Sequence, residues 1–183
     1  VPQTKAPVST SQSLCEAVAF ETELGWMAVG VTNDRLSRVI FGQPTFDALM
    51  EVVSAERMQL VDQDELSDWV GDLCCRLRSF AAGESCDFAD IPVDTDHLTS
   101  FGQAVVDACR ALSWGETLSY AELAAKAGSP GAARAVGNVM ANNRLPLVVP
   151  CHRVLGSGGH LGGYSAPGGL VTKRRLLDAE AVA

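Results

Sequence analysis

The residues best able to do chemistry lie together at Pro150-Cys151-His152-Arg153-Val154, at the end of the apolar run Leu147-Val148-Val149. A cysteine is a nucleophile only as its thiolate, and a nearby base or positive charge favours that form. A strand-like run stopped by proline fixes where the sulfur sits. The ring of His152 cannot readily reach the sulfur of its own chain neighbour, so a bridging water is the natural relay. A base used in this way needs a third group to orient it. Glu180, on a helix expected over Lys173–Glu180, is a candidate. The alternative is a buried thiol without a role, because free cysteine often packs as a small hydrophobe. That reading is preferred for Cys15, Cys74, Cys75, Cys86 and Cys109, which fall in amphipathic stretches with no basic neighbour that fixes a role. Cys151, His152 and His160 make a poor metal set, since adjacent residues chelate one ion badly and no fourth ligand is evident. His97 and His160 read as surface residues. No metal and no cofactor are expected, and no dinucleotide or phosphate-loop fingerprint is present.

The elements that must position these residues divide into strands first and helices after. Leu14–Phe20, Gly25–Val31 and Arg35–Phe41 alternate in apolar character and read as strands, with Thr32-Asn33-Asp34 as a hairpin turn. Helical spacing follows over Pro44–Arg57 and Asp64–Ala82. Cys86–Leu98 reads as a last extended piece and a linker. Ser100–Leu112 reads as a helix with Ser100 as its N-cap. Ser119 and Glu122 fit a capping box, with Gly128 as the stop. A short turn then leads into a helix over Ala132–Asn142. Two short helices joined in this way form a helix-turn-helix pattern, although many α-hairpins share it without touching DNA. The second helix is slim, with Ala132, Ala133, Ala135, Gly137 and Ala141. Its single basic residue, Arg134, is either a solvated charge or a finger aimed at a partner.

Composition narrows the classes. The chain has 183 residues, 47% hydrophobic and 20% charged, which describes a globular protein. No apolar run approaches the roughly 18 residues of a membrane helix. The first 13 residues read as a loose tail without the apolar core of a secretory signal. Scattered cysteines, two of them adjacent, argue for reduced thiols in a cytoplasmic protein. The net charge of −8 is uneven. Residues 1–98 hold 6 Lys and Arg against 17 Asp and Glu, a net −11, and residues 99–183 hold 8 against 5, a net +3. Only the second part suits a phosphate-bearing partner.

Pro150-Cys151-His152-Arg153-Val154 resembles the PCHRV signature of the O6-alkylguanine-DNA alkyltransferases, the methylated-DNA–protein-cysteine methyltransferases. Three further segments agree in order. Gly115–Tyr120 resembles the family's GExxSY, Ala133–Gly137 its ARAVG, and Gly168–Glu180 its GGLxxKxxLLxxE. The resemblance covers about residues 99–180. The first half is similar only loosely, through Phe20-Glu21-Thr22, Leu24-Gly25 and the hairpin after them. The resemblance implies an α+β protein of two domains. A ribonuclease-H-like α/β domain without nuclease function would occupy residues 14–96. A winged-helix-like, mainly helical DNA-binding domain would occupy residues 97–183. Its recognition helix would enter the minor groove, which suits a slim helix because that groove is only about 6 Å wide.

By the same resemblance Cys151 accepts the alkyl group, His152 is the water-mediated base and Glu180 orients it. Asn143 braces the active-site turn. Arg134 fills the gap left by a rotated nucleotide, flanked by Ala133, Ala135 and Gly137 along the DNA. Tyr120 helps rotate the phosphate and protonates the leaving guanine. Tyr164 and Ser165 cover the base, and Pro146 and Val154 line the pocket. Two departures stand out. Ala166-Pro167 lengthens the loop before Gly168, and the Trp of the family's FQxxVW is missing from Phe101–Val106, with Trp114 nearby to compensate. The zinc site of some members cannot be assembled. The implied function is repair of double-stranded DNA containing O6-alkylguanine, by irreversible transfer to Cys151 in a cytoplasmic monomer. The alternative is a non-catalytic alkyltransferase-like lesion binder. Those proteins carry another residue where Cys151 stands. A transcriptional regulator would need a further domain, and a thiol hydrolase would leave the helix-turn-helix idle.

Overall fold

The structure, a computed structural model, describes residues 14–181, so the expected tail lies outside the described residues. Alternating apolar residues build an antiparallel meander of β1 (Glu16–Thr22), β2 (Gly25–Thr32) and β3 (Arg35–Gln43). Asn33 and Asp34 both turn with positive φ, 52° and 56°, in the manner of a tight hairpin. Helix α1 (Phe46–Ala55) starts at Thr45, whose hydroxyl accepts from the Ala48 N–H at 3.1 Å. It returns the chain to the far edge, where β4 (Gln59–Leu60) pairs parallel with β1. The sheet order is β3-β2-β1-β4. A strand of two residues carries no legible period, so β4 leaves no signature in the sequence. The two faces follow the period of two. Ala17, Ala28 and Ile40 meet Leu49 and Val53 of α1 on one side. Val18, Phe20, Met27, Val29, Val39 and Phe41 face the rest of the molecule on the other.

The helix expected over Asp64–Ala82 is broken into a 3-10 turn at Gln63–Glu65 and α2 (Asp68–Ala81). Asp62 and Glu65 form their own capping box, which closes the first turn, and Leu66 and Ser67 are then extended. The extended piece expected at the start of Cys86–Leu98 is irregular apart from a bridge between Leu36 and Val93. A side chain satisfies its backbone instead. Arg110 donates to the carbonyls of Phe88, Ala89 and Ile91 at 2.8, 3.2 and 2.8 Å. Helix α3 (Ser100–Arg110) is capped by Thr99 rather than Ser100, with the Thr99 hydroxyl accepting from the Gly102 N–H at 3.2 Å. Both residue types cap well, so only geometry separates them.

The capping box at Ser119 and Glu122 forms as expected and opens α4 (Tyr120–Lys126). A turn with Gly128 and Gly131 leads into α5 (Ala133–Ala141), and α6 (Gly169–Ala181) closes the chain. A two-stranded pair, β5 (Leu118–Ser119) with β6 (Val154–Leu155), ties the start of α4 to the segment after the nucleophile. The fold is α+β, and its main apolar cluster runs from Val18 to Leu176. Within it the open edge of β3 reaches the site directly, because the Val39 N–H donates to the Arg144 carbonyl at 2.9 Å. No helix among the described residues is long and apolar enough to cross a membrane.

Gly25 gives a test of this frame. Its φ is 94°, and a Cβ there would lie 2.6 Å from the Gln43 carbonyl oxygen. Gly25→Ala is expected to lower stability by about 1 kcal/mol or more, read as a lower urea midpoint. An unchanged midpoint would contradict the register of β2 on β3.

Candidate active site

The chain between α5 and β6 holds its shape through one side chain. The Asn143 amide donates to the Val149 carbonyl at 2.9 Å, and its oxygen accepts from the Leu145 N–H at 2.9 Å. Val149 N–H closes back on Leu145 O at 2.8 Å. Leu147 sits at the bend with φ 73°, a left-handed conformation that a non-glycine residue rarely adopts, and is buried there. Pro150 then directs the chain into a 3-10 turn over Cys151–Arg153. Asn143 therefore braces the turn that presents Cys151.

The three residues of that turn are all buried. His152 Nε2 lies 2.8 Å from Glu180 Oε1, and Glu180 comes from the last turn of α6. Arg153 forks onto the same carboxylate, with Nε to Oε2 at 2.8 Å and Nη2 to Oε1 at 3.0 Å. The Gly115 N–H adds a fourth donor at 3.2 Å. Burial alone would raise the Glu180 pKa, but the bonds from His152 and Arg153 outweigh it and hold it at about 2. Burial pushes the His152 imidazole down, and Glu180 only partly opposes that. The imidazole is therefore neutral beside an ionised carboxylate. A carboxylate can only accept, so Nε2 carries the proton and Nδ1 keeps its lone pair. Nδ1 has no protein partner among the described residues.

Burial pushes the Cys151 thiol up, against a hydrogen bond from Asn143 and the positive charge of Lys173. The resting sulfur is a thiol. Lys173 is fully buried and donates to the carbonyls of Val154 and Leu161 at 2.7 and 2.5 Å. It thereby ties the segment after Cys151 to the loop that follows. Among the other cysteines, Cys74 and Cys109 are buried and Cys75 is exposed. Burial moves the Cys74 thiol up to about 12, which leaves it inert. The exposure of Cys75 departs from the packing role expected for it, because it lies one position on from Cys74 and faces off the core side of α2.

Cys151 opens onto a cleft of about 470 Å³ bordered by Tyr120, Gly137, Met140, Tyr164 and Ser165, among others. Burial raises the Tyr120 pKa, so its hydroxyl is a donor at neutral pH. Gly162 passes so close that a Cβ there would lie 3.2 Å from the Tyr120 hydroxyl oxygen. Ser165 donates to the Ala141 carbonyl at 3.0 Å, which pins the loop over the cleft to the end of α5. Pro146 borders a neighbouring cleft. Val154 is fully buried and borders neither cleft, because its pairing with β5 turns it into the core. On α5, Arg134 and Ala135 are exposed, while Ala133 and Gly137 are half-buried. Trp114 packs edge-on against Phe80, with ring centroids 5.3 Å apart, and lies 5.9 Å from the Arg153 guanidinium. His97 and His160 are exposed as expected. No group of metal ligands occurs among the described residues.

Two functional residues escaped sequence reasoning. Arg153 was visible only as a charge beside the cysteine, and Lys173 only as a letter in a motif. A signal existed. Lys173, Leu176 and Glu180 share the i, i+3, i+7 spacing of a core face, and charges on such a face need partners.

A family profile described as "6-O-methylguanine DNA methyltransferase, DNA binding domain" matches residues 100–182. The methylated-DNA–protein-cysteine methyltransferase of Mycobacterium leprae is 41% identical over 132 residues, covering 67% of this chain and 78% of that one. The chain belongs to the methylated-DNA–protein-cysteine methyltransferase family. The Mycobacterium tuberculosis methyltransferase is 45% identical over 105 residues, 57% of this chain and 61% of that one. The alignment thus spans about three fifths of that relative. The crystal structure of Mycobacterium tuberculosis OGT in complex with DNA superposes with a TM-score of 0.73 at 30% identity, covering 91% of this chain and 93% of that one.

The low Glu180 pKa makes a prediction for this methyltransferase-family site. A carboxylate held at about 2, against an ordinary 4.5, adds stability that is full above the ordinary value and is lost as pH falls towards 2. The urea midpoint is expected to fall between pH 5 and pH 2.5, and Glu180→Gln should flatten that dependence. Parallel pH curves for the two proteins would contradict the assignment.

Proposed function

We propose that this protein repairs DNA by moving an alkyl group from O6 of guanine to Cys151, once per chain. One observation carries the reading. Cys151 borders an open cleft while its neighbour His152 is kept neutral by burial and oriented by buried Glu180, with Nδ1 left free to take a proton. Proton transfer from the Cys151 thiol to Nδ1 through a water creates the thiolate at the moment of use. The sulfur attacks the alkyl carbon, the S–C bond forms, and the C–O6 bond breaks with its electron pair leaving on guanine. The Tyr120 hydroxyl stabilises that charge and supplies a proton to the leaving base. The product is a thioether, with no easy route back to thiol. No cofactor enters the balance.

The base must first leave the stack, at a cost of a few kcal/mol. In this reading α4 and α5 are a helix-turn-helix whose slim outer face enters the minor groove. A Cβ at Gly137 would meet nothing within 4 Å, so that face is open. Arg134 fills the gap in the duplex, flanked by Ala133, Ala135 and Gly137. Tyr164 and Ser165 cover the extruded base, and Pro146 lines its pocket. The reading assigns residues 14–96 to a ribonuclease-H-like unit and residues 97–183 to a winged-helix-like unit that works as a cytoplasmic monomer. The charge split, −11 against +3, supports DNA binding by the second part. The lesion-binder alternative is not favoured, because Cys151 is present with its base.

Two variants separate chemistry from DNA handling. Cys151→Ala should bind a lesion duplex and leave the lesion intact. Arg134→Ala should slow repair in duplex by about tenfold, or 1.4 kcal/mol, with little change towards free O6-benzylguanine. Equal losses on both substrates, measured in single-turnover assays, would remove Arg134 from the DNA-facing role.

A further inference from the structure

His152 owes its neutral state to what surrounds it, and one of its walls comes from the other half of the chain. Phe80 lies in the last turn of α2, with its ring centroid 6.1 Å from that of the His152 imidazole and the two planes at 72°. Near-perpendicular contact at this range is a favoured aromatic geometry. Phe80 is itself held in place. Trp114 meets it edge-on at 5.3 Å, and Phe88 lies 6.1 Å away. Trp114 also lies 5.9 Å from the Arg153 guanidinium. The aromatic group therefore covers both side chains that bond the Glu180 carboxylate, His152 through Phe80 and Arg153 through Trp114. Phe80 is buried and its side chain has no polar atom, so it acts on the imidazole by filling space and excluding water.

The charged groups that act on the imidazole are Glu180 and Lys173 of α6 and Arg153 of its own turn. Cys151 adjoins it, and α3 brings Cys109, a thiol that burial keeps protonated. The cations of α2 are engaged elsewhere, Arg76 with Asp72 and Asp90, and Arg78 over the Phe20 ring. What α2 turns towards His152 is therefore hydrocarbon. Burial is the largest influence on the imidazole and lowers its affinity for a proton. An imidazolium has no lone pair on Nδ1 and cannot take the thiol proton. We propose that Phe80 is a positioning residue for His152, through which the N-terminal half of the chain keeps water from the base and its carboxylate. The inference rests on the alkyl-transfer reading above. The proton route is unchanged, from the Cys151 sulfur through a water to Nδ1. The acidic half of the chain thereby gains a part in activating the nucleophile.

The test removes the ring and reads the base in two ways. Phe80→Val leaves room for about one water, whose share of liquid volume is about 30 Å³. Leu73→Ala is the control, a fully buried residue two turns earlier on the same face of α2. The first readout is the NMR titration of the His152 imidazole, one of 3 histidines in the chain. The second is the pH profile of single-turnover transfer from free O6-benzylguanine, which needs no DNA binding. In Phe80→Val the His152 titration and the acid limb of the rate are both expected to move up by about one pH unit, so that transfer on that limb falls about tenfold. Leu73→Ala should lower the urea midpoint and move neither. If Phe80→Val fails to fold, Phe80→Leu takes its place, with a smaller shift in the same direction. A folded Phe80 variant with the parent's titration and acid limb would overturn the proposal, as would an equal shift in Leu73→Ala. Absence of transfer by the parent, with the titration shift still present in the variant, would instead overturn the alkyl-transfer reading.

Discussion

Everything at the site depends on one buried carboxylate. Glu180 accepts from His152, twice from Arg153, and from the backbone of Gly115. These donors come from the turn of the nucleophile and from the segment after α3. The carboxylate itself comes from α6. A buried charge is stable only when its hydrogen bonds are made with good geometry, so the three chain segments have little freedom relative to one another. The same bonds decide the tautomer of His152 and so leave Nδ1 as the base.

A second tie crosses from the sheet. The bond between Val39 and Arg144 sets the active-site loop against β3, and Asn143 then shapes that loop from within. The result is a buried cysteine that rests as a thiol. Its five companions are held off reaction in other ways, by burial for Cys74 and Cys109, or by having no base at hand. A resting thiol suits a protein proposed to react once, because an idle thiolate would be open to oxidation and to the wrong electrophile.

Much of this was legible in the chain. The meander, the helix-turn-helix spacing and the capping box at Ser119 follow from local pattern, and the pairing of Glu180 with His152 was expected. What escaped is non-local. Strand β4 is too short to show a period. Asp62 and Glu65 broke a helix that spacing alone would continue. Thr99 displaced Ser100 as a cap that chemistry permits equally. Arg110 replaced a strand ladder by reaching three carbonyls from another helix. Val154 was expected in the pocket and lies behind it, because pairing with β5 is invisible in two residues. The buried roles of Arg153 and Lys173 emerge only when α6 is seen to turn its charges inward.

The central claim is that Cys151 itself becomes the acceptor. Intact-protein mass spectrometry after mixing with a duplex bearing one O6-methylguanine tests it most directly. The account predicts a gain of one methylene mass, about 14 Da for an activated thiol that takes a methyl, mapped to Cys151 and saturating at one per chain. A lesion cleared with no mass gain, or a gain mapped to another residue, would contradict it.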